Sequence, residues 1–304
     1  MAGPSAIREH ASVAAARSAR RPIVGLESSV FAQGLPIPAN REANVRVRAA
    51  VRARGAVPAI TAVVKGKLTL GLDGDDLSRF LLREGIHKVS ARDLPVAIAQ
   101  KLDGATTVAA SLAICAKANV RVFATGGIGG VHRDAPFDES ADLVELARHP
   151  IVTVCAGAKS ILDLGATLER LETLGVTVLG FGTDELPGFF TRETGLAVPA
   201  RVESAAEVAA IVRAADALGR RTGVLVCVPP PAEHALPRED VERAVEQALA
   251  AARAEGVRGA AVTPRLLAAV EQATEGRSLD ANLALLESNA AIAADIAVAL
   301  AGDP

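Results

Sequence analysis

Along almost the whole chain the apolar positions switch between two patterns. Short β-branched runs alternate with longer segments in which apolar residues recur at helical spacing. The runs at residues 23–26, 57–64, 86–90, 120–124, 151–155, 176–181 and 222–228 read as strands, the last stopped by Pro229-Pro230-Pro231. Residues 40–54, 75–83, 106–118, 138–147, 162–174 and 204–218 read as helices, and three more close the chain at 238–255, 263–274 and 279–300. Lys65-Gly66-Lys67 breaks the second strand, and 184–192 reads as a loop with exposed Phe189 and Phe190, a candidate lid or subunit contact. The alternation predicts an α/β fold, a mixed or mostly parallel sheet layered between helices. No linker or repeat divides the chain, so residues 1–304 are expected to form a single domain, with 1–20 as an N-terminal helix or extension.

Composition narrows the function. The 304 residues are 50% hydrophobic, enough for a large core. A net charge of −2, with seven Phe and no Trp or Tyr, argues against a nucleic-acid surface or a base-stacking platform. Cys115, Cys155 and Cys227 lie in apolar runs without a CxxC pair and read as buried, reduced thiols. The opening mixes Arg8, Glu9, Arg17, Arg20 and Arg21 with alanines and lacks the apolar stretch of a signal peptide. No run approaches the roughly 20 apolar residues of a membrane span. A soluble cytoplasmic protein is expected.

The stretch from Val152 to Leu164 organises the candidate chemistry. It reads as a strand, a turn through Ala156-Gly157-Ala158, and a helix from about Ser160, with Lys159 where turn gives way to helix. Ligand sites of α/β proteins gather at such junctions. A lysine there can hold a phosphate or, with a lowered pKa, attack a carbonyl carbon; a solvated lysine satisfies the same pattern. The glycine-rich run from Thr125 to His132 could wrap a phosphate or sugar, but it matches neither a dinucleotide fingerprint nor a P-loop, and a bare tight turn fits nearly as well. Asp138 and Asp142, four apart, are expected on one helix face, where they could hold Mg²⁺ or Mn²⁺; Asp138 could equally be an N-cap. Glu27 follows a strand and suits acid/base work if partly buried, or is an ordinary surface residue. Lys88 could bind phosphate or form a salt bridge. Asn282 and Asn289 share a face of the last helix as pocket anchors or as surface groups. As a set these residues suit a small phosphorylated carbonyl compound that forms a Schiff base with lysine.

Several segments together resemble one family. They are Gly25-Leu-Glu-Ser-Ser29 with Gly34-Leu-Pro36, Lys88-Val-Ser-Ala-Arg-Asp-Leu94, Ala124-Thr-Gly-Gly-Ile-Gly-Gly-Val-His-Arg133, Phe137-Asp-Glu-Ser-Ala-Asp-Leu143 and Cys155-Ala-Gly-Ala-Lys-Ser-Ile-Leu-Asp163. In this order they resemble the pseudouridine-5′-phosphate glycosidases, also called indigoidine synthase A-like, from about Pro22 to Ala301. The segment between His132 and Phe137 is shorter than in some relatives, and Ser288 stands where a second Asn is common.

The resemblance implies reversible cleavage of the C–C glycosidic bond of pseudouridine 5′-phosphate to uracil and ribose 5-phosphate. It implies Lys159 as the nucleophile at C1′ of the opened ribose and Glu27 as the proton donor. Asp138 matches the ligand of one Mn²⁺ per subunit, a site open to other divalent cations. Lys88, Val108, Ser140, Ala141 and Asp142 match substrate-binding positions, and Thr125, His132 and Asn289 complete the expected set. The implied assembly is a homotrimer acting on small molecules, without nucleic-acid or membrane partners. A Schiff-base aldolase or lyase on another sugar phosphate shares the lysine, and a non-catalytic role in pigment formation is the third reading.

Overall fold

Val57–Val64 is buried along its whole length, as a strand covered on both faces must be. In the computed structural model, which describes residues 7–133, 138–255 and 262–302, it belongs to an 11-stranded, mostly parallel sheet. From Val57–Val64 the parallel order runs through Ile23–Leu26, Val122–Ala124, Val152–Cys155, Val224–Cys227 and Thr177–Phe181 to Ala200–Val202. Lys67–Leu70 and Gly104–Thr106 pair antiparallel to Val57–Val64, and His87–Val89 runs parallel to Gly104–Thr106. The expected mixed, mostly parallel α/β sheet is therefore the observed one.

The break at Lys65-Gly66-Lys67 is a hairpin. Lys65 and Gly66 both take positive φ, 49° and 74°, as a two-residue turn matched to strand twist requires, and the chain returns as Lys67–Leu70. Gly25 shows why a strand can carry glycine: a Cβ there would stand 2.5 Å from Cys115 Sγ on the helix Val108–Lys117. All three cysteines are free and buried, as expected.

Helix Arg277–Ala301 crosses the strands Ile23–Leu26, Val122–Ala124 and Val152–Cys155, flanked by helices Ala39–Ala53 and Ala205–Ala217. Against the sequence expectation, it is long and apolar enough to cross a membrane; 56% of its most apolar window is buried against the protein, which makes it a core helix. A smaller separate cluster holds Val63, Leu68, Val89, Ala97 and Ile114, and the main apolar core runs from Val13 to Ala297. A hydroxyl cluster sits within it: Thr61 Oγ1 lies 2.8 Å from both Thr106 Oγ1 and Ser111 Oγ and donates to Leu26 O, so no hydroxyl there is left unpaired.

Two helix starts and one burial differ from the sequence reading. Residues 138–140 are not helical; the helix is Ala141–Arg148, capped by Ser140 Oγ accepting from Asp142 N–H. Asp138 is thus no N-cap, and it shares no helix face with Asp142. The helix after Lys159 begins at Leu164, with Asp163 as its cap. Lys159 lies in a loop, followed by the short strand Leu162–Asp163 that pairs antiparallel with Val131–His132. Phe189 and Phe190, expected outside, are 2% and 3% exposed. The shortened segment 134–137 lies outside the described residues.

Candidate active site

Glu27, Thr125 and Lys159 follow three neighbouring parallel strands at their carboxyl ends, where the fold leaves loops free to carry function. The register sets their level: Leu26 stands opposite Ala124, and Ala124 opposite Val154. Glu27 and Thr125 therefore emerge side by side, and Thr125 Oγ1 donates to Glu27 Oε1 at 2.5 Å. Ser29 Oγ donates to the other carboxylate oxygen. Glu27 is 7% exposed. Burial raises its pKa above the usual carboxylate range; the nearby Lys159 charge and the two hydroxyls oppose this without cancelling it. A carboxyl group tuned in this way can hold a proton and deliver it.

Lys159 is placed by the glycine run. Its backbone N–H donates to Ile128 O at 3.1 Å, and Ile128 N–H donates to Gly157 O at 3.1 Å. Its ammonium donates to Gly127 O at 3.0 Å. Gly157 has φ +84° and no room for a side chain, since a Cβ would meet Pro187 O at 2.2 Å.

Glu27, Lys88, Thr125 and Lys159 line one pocket of about 290 Å³, together with Ser29, Gln33, Gly126, Gly127, Phe189, Phe190 and Asn282. The Lys88 ammonium is pushed below its usual range, chiefly by burial and then by the charge of Lys159. A mixed acid and twin-lysine pocket at strand ends is a functional arrangement rather than a packing one. Among the described residues, two acceptors in its lining, Gln33 Oε1 and Asn282 Oδ1, are buried without a donor, an unusual state that a bound ligand would relieve. Gln33 carried no pattern that marked it in the sequence; Ser29 stood in the Gly25–Ser29 motif without a role, and the two phenylalanines read as an exposed lid or subunit contact.

The other expected residues form a neighbouring group. Asp142 is 6% exposed and accepts from Ala109 N–H at 2.9 Å and Gly129 N–H at 2.8 Å. It ties the helix beginning at Val108 to the glycine loop, so its carboxylate is already engaged. Val108 is the first residue of its helix, and Ser140 and Ala141 begin the next. Asp142 thus supplies the anion where these two helix N-termini meet; Val108, Ser140 and Ala141 do not line the pocket. Asn289, expected to contact substrate, is buried behind the loop instead. Its Nδ2 donates to Thr125 O at 2.9 Å and Gly126 O at 3.3 Å; Asn282 faces the pocket in its place.

His132 Nδ1 lies 3.4 Å from Asp138 Oδ2, whose side chain is 54% exposed. Glu139 is taken by Arg170 at 2.8 Å. Among the described residues no three His, Cys, Asp or Glu side chains gather to hold a metal. An outward carboxylate with one imidazole neighbour fits a largely hydrated divalent cation, which needs only one or two protein ligands. A larger open groove of about 640 Å³ is lined by Arg133, Ser160 and Glu246 and does not include Glu27 or Lys159.

The fold and site together define an α/β enzyme with a lysine nucleophile candidate and a buried carboxyl group. The chain belongs to the indigoidine synthase A-like family, whose model matches residues 12–299. It is 63% identical over 278 residues to a pseudouridine-5′-phosphate glycosidase of Gemmatimonas aurantiaca, covering 91% of both chains. It is 51% identical to another from Symbiobacterium thermophilum, covering 92% of this chain and 93% of that one. Among solved structures, an indigoidine synthase A-like protein from Thermotoga maritima superposes with a TM-score of 0.89 at 36% identity, covering 98% of this chain and 97% of that one. A prealnumycin C-glycosynthase in complex with ribulose 5-phosphate superposes with a TM-score of 0.90 at 38% identity, covering 97% of each.

Proposed function

We propose that this enzyme reversibly cleaves the C–C glycosidic bond of pseudouridine 5′-phosphate to uracil and ribose 5-phosphate. The observation that carries the reading is Lys159 sharing one pocket with the buried Glu27, whose pKa burial raises; the relatives' names support the substrate. A C–C bond offers no leaving heteroatom. Neutral Lys159 attacks C1′, and the C1′–O4′ bond opens as O4′ takes a proton. Protonation of uracil C5, with Glu27 as the donor, then lets the C1′–C5 pair return to the base. C1′ is left as the lysine iminium, which water hydrolyses to ribose 5-phosphate.

The base of pseudouridine presents two N–H donors, and the unpartnered Gln33 and Asn282 oxygens suit them. Lys88 suits the phosphate. Asp138, with His132 beside it, is the residue we assign to Mn²⁺, which would neutralise nearby negative charge when bound. A homotrimeric assembly and a cytoplasmic location are proposed on the family resemblance.

The test runs the reaction in the synthetic direction, from uracil, ribose 5-phosphate and Mn²⁺, with chromatography and mass spectrometry for pseudouridine 5′-phosphate. Its formation, and its loss in Lys159→Ala, are expected. No product, with borohydride still trapping ribose 5-phosphate on Lys159, would move the reading to another sugar-phosphate lyase.

A further inference from the structure

Phe189 holds an uncommon backbone. Its φ is +68°, a region that bulky residues avoid. Phe190 N–H donates to Gly188 O at 2.9 Å across it, closing a γ-turn of the rare, strained hand. The neighbours over-determine this conformation. Phe189 N–H donates to Ala156 O at 2.9 Å, and Leu236 N–H to Phe190 O at 2.8 Å. The two rings meet edge to face, with centroids 4.6 Å apart.

The strained turn drives the Phe189 ring onto Gly127. A Cβ on Gly127 would stand 2.5 and 2.7 Å from two atoms of that ring. The same glycine's carbonyl holds the Lys159 ammonium. An aromatic wall therefore stands one residue from the nucleophile and lines its pocket. Both products meet at the carbon that Lys159 attacks. Ribose 5-phosphate is hydroxylated and anionic and gains little from a hydrocarbon wall, whereas uracil is flat and uncharged.

We infer that Phe189 determines which base the enzyme accepts: its ring limits the space beside Lys159 to that of a single unsubstituted pyrimidine. The inference rests on the proposed glycosidase reading and adds the residue that sets base selectivity.

The experiment compares wild type, Phe189→Gly and Phe189→Leu in synthesis from ribose 5-phosphate with uracil or 6-methyluracil. Glycine adopts a positive φ freely and deletes the ring; leucine keeps apolar bulk and carries the test should the glycine variant not fold. Phe189→Gly is expected to raise KM for uracil about tenfold and to shift kcat/KM about tenfold toward 6-methyluracil, the scale on which small apolar groups are discriminated. Borohydride trapping of ribose 5-phosphate on Lys159 is expected to stay within about twofold of wild type, because the sugar half does not use the ring. Unchanged base preference overturns the inference. So does an equal fall in trapping and uracil use, which would make Phe189 a support for the Lys159 turn. Wild type that traps ribose 5-phosphate and ignores uracil overturns the proposed function itself, before any variant is compared, and the inference with it.

Discussion

Glu27 and Thr125 leave adjacent parallel strands at the same level, and the threonine hydroxyl donates to the carboxylate at 2.5 Å. This contact lies in a site that raises the Glu27 pKa by burial. Folding stability then falls as pH rises above the ordinary carboxylate pKa of 4.5, because the unfolded chain ionises while the native state holds its proton; the loss is complete above the raised, native value. Glu27→Gln lacks that ionisation. It is expected to cost about 10²–10⁴ in kcat and to melt higher than wild type at neutral pH, with the advantage vanishing below pH 4. Calorimetry across pH checks this, and a lower melting temperature at pH 7 would contradict it.

Lys88 is held below its usual range by burial and by the Lys159 charge. Its proton is therefore lost at lower pH than that of a free lysine. KM for ribose 5-phosphate is expected to climb on the alkaline side before ordinary lysines titrate, and Lys88→Ala should show a raised KM at every pH without that climb. Steady-state KM against pH in both proteins is the measurement. A parallel climb in the variant would take the phosphate away from Lys88.

Asp142 joins the amides of Ala109 and Gly129. Hydrogen bonds to a buried charged group contribute about 1.5–3 kcal/mol each, and removing the acceptor strands two amides. Asp142→Ala is expected to cost about 3 kcal/mol by urea denaturation. Asp142→Asn, which keeps one acceptor, should lose less. Equal losses would show that the two contacts are not separable.

Asp138 caps no helix; Ser140 does. Asp138→Ala is therefore expected to leave stability within about 0.5 kcal/mol of wild type while abolishing the response of activity to added Mn²⁺. Titrating Mn²⁺ into both proteins decides it, and an unchanged response would leave Asp138 without a metal role. Ser140→Ala serves as the contrast, with a capping loss of about 1 kcal/mol.

The parallel strands are legible in the sequence because a strand covered on both faces is written as an unbroken apolar run, as in Val57–Val64. Lys159 and Glu27 are legible as candidates because each ends such a run. The helix start after Lys159 is not. Ser160-Ile161-Leu162 has the composition of a first helical turn, but its backbone pairs with the strand at Val131–His132, a long-range contact that local periodicity does not carry. The same limit hides Phe189 and Phe190, whose polar flanks imitate a surface loop while Ala156 and Gly127 bury them. Asn282 and Asn289 have indistinguishable contexts in sequence. They share a face about two turns apart, and only the position of the helix along the loop sends one to the pocket and the other behind it.

Asn289 lies on the final 25-residue helix and holds the carbonyls of Thr125 and Gly126, more than a hundred and sixty residues earlier. Glu27, Lys159 and the loop between them are therefore synthesised long before the amide that fixes that loop, and a chain cut short of Asn289 carries those groups without the clasp.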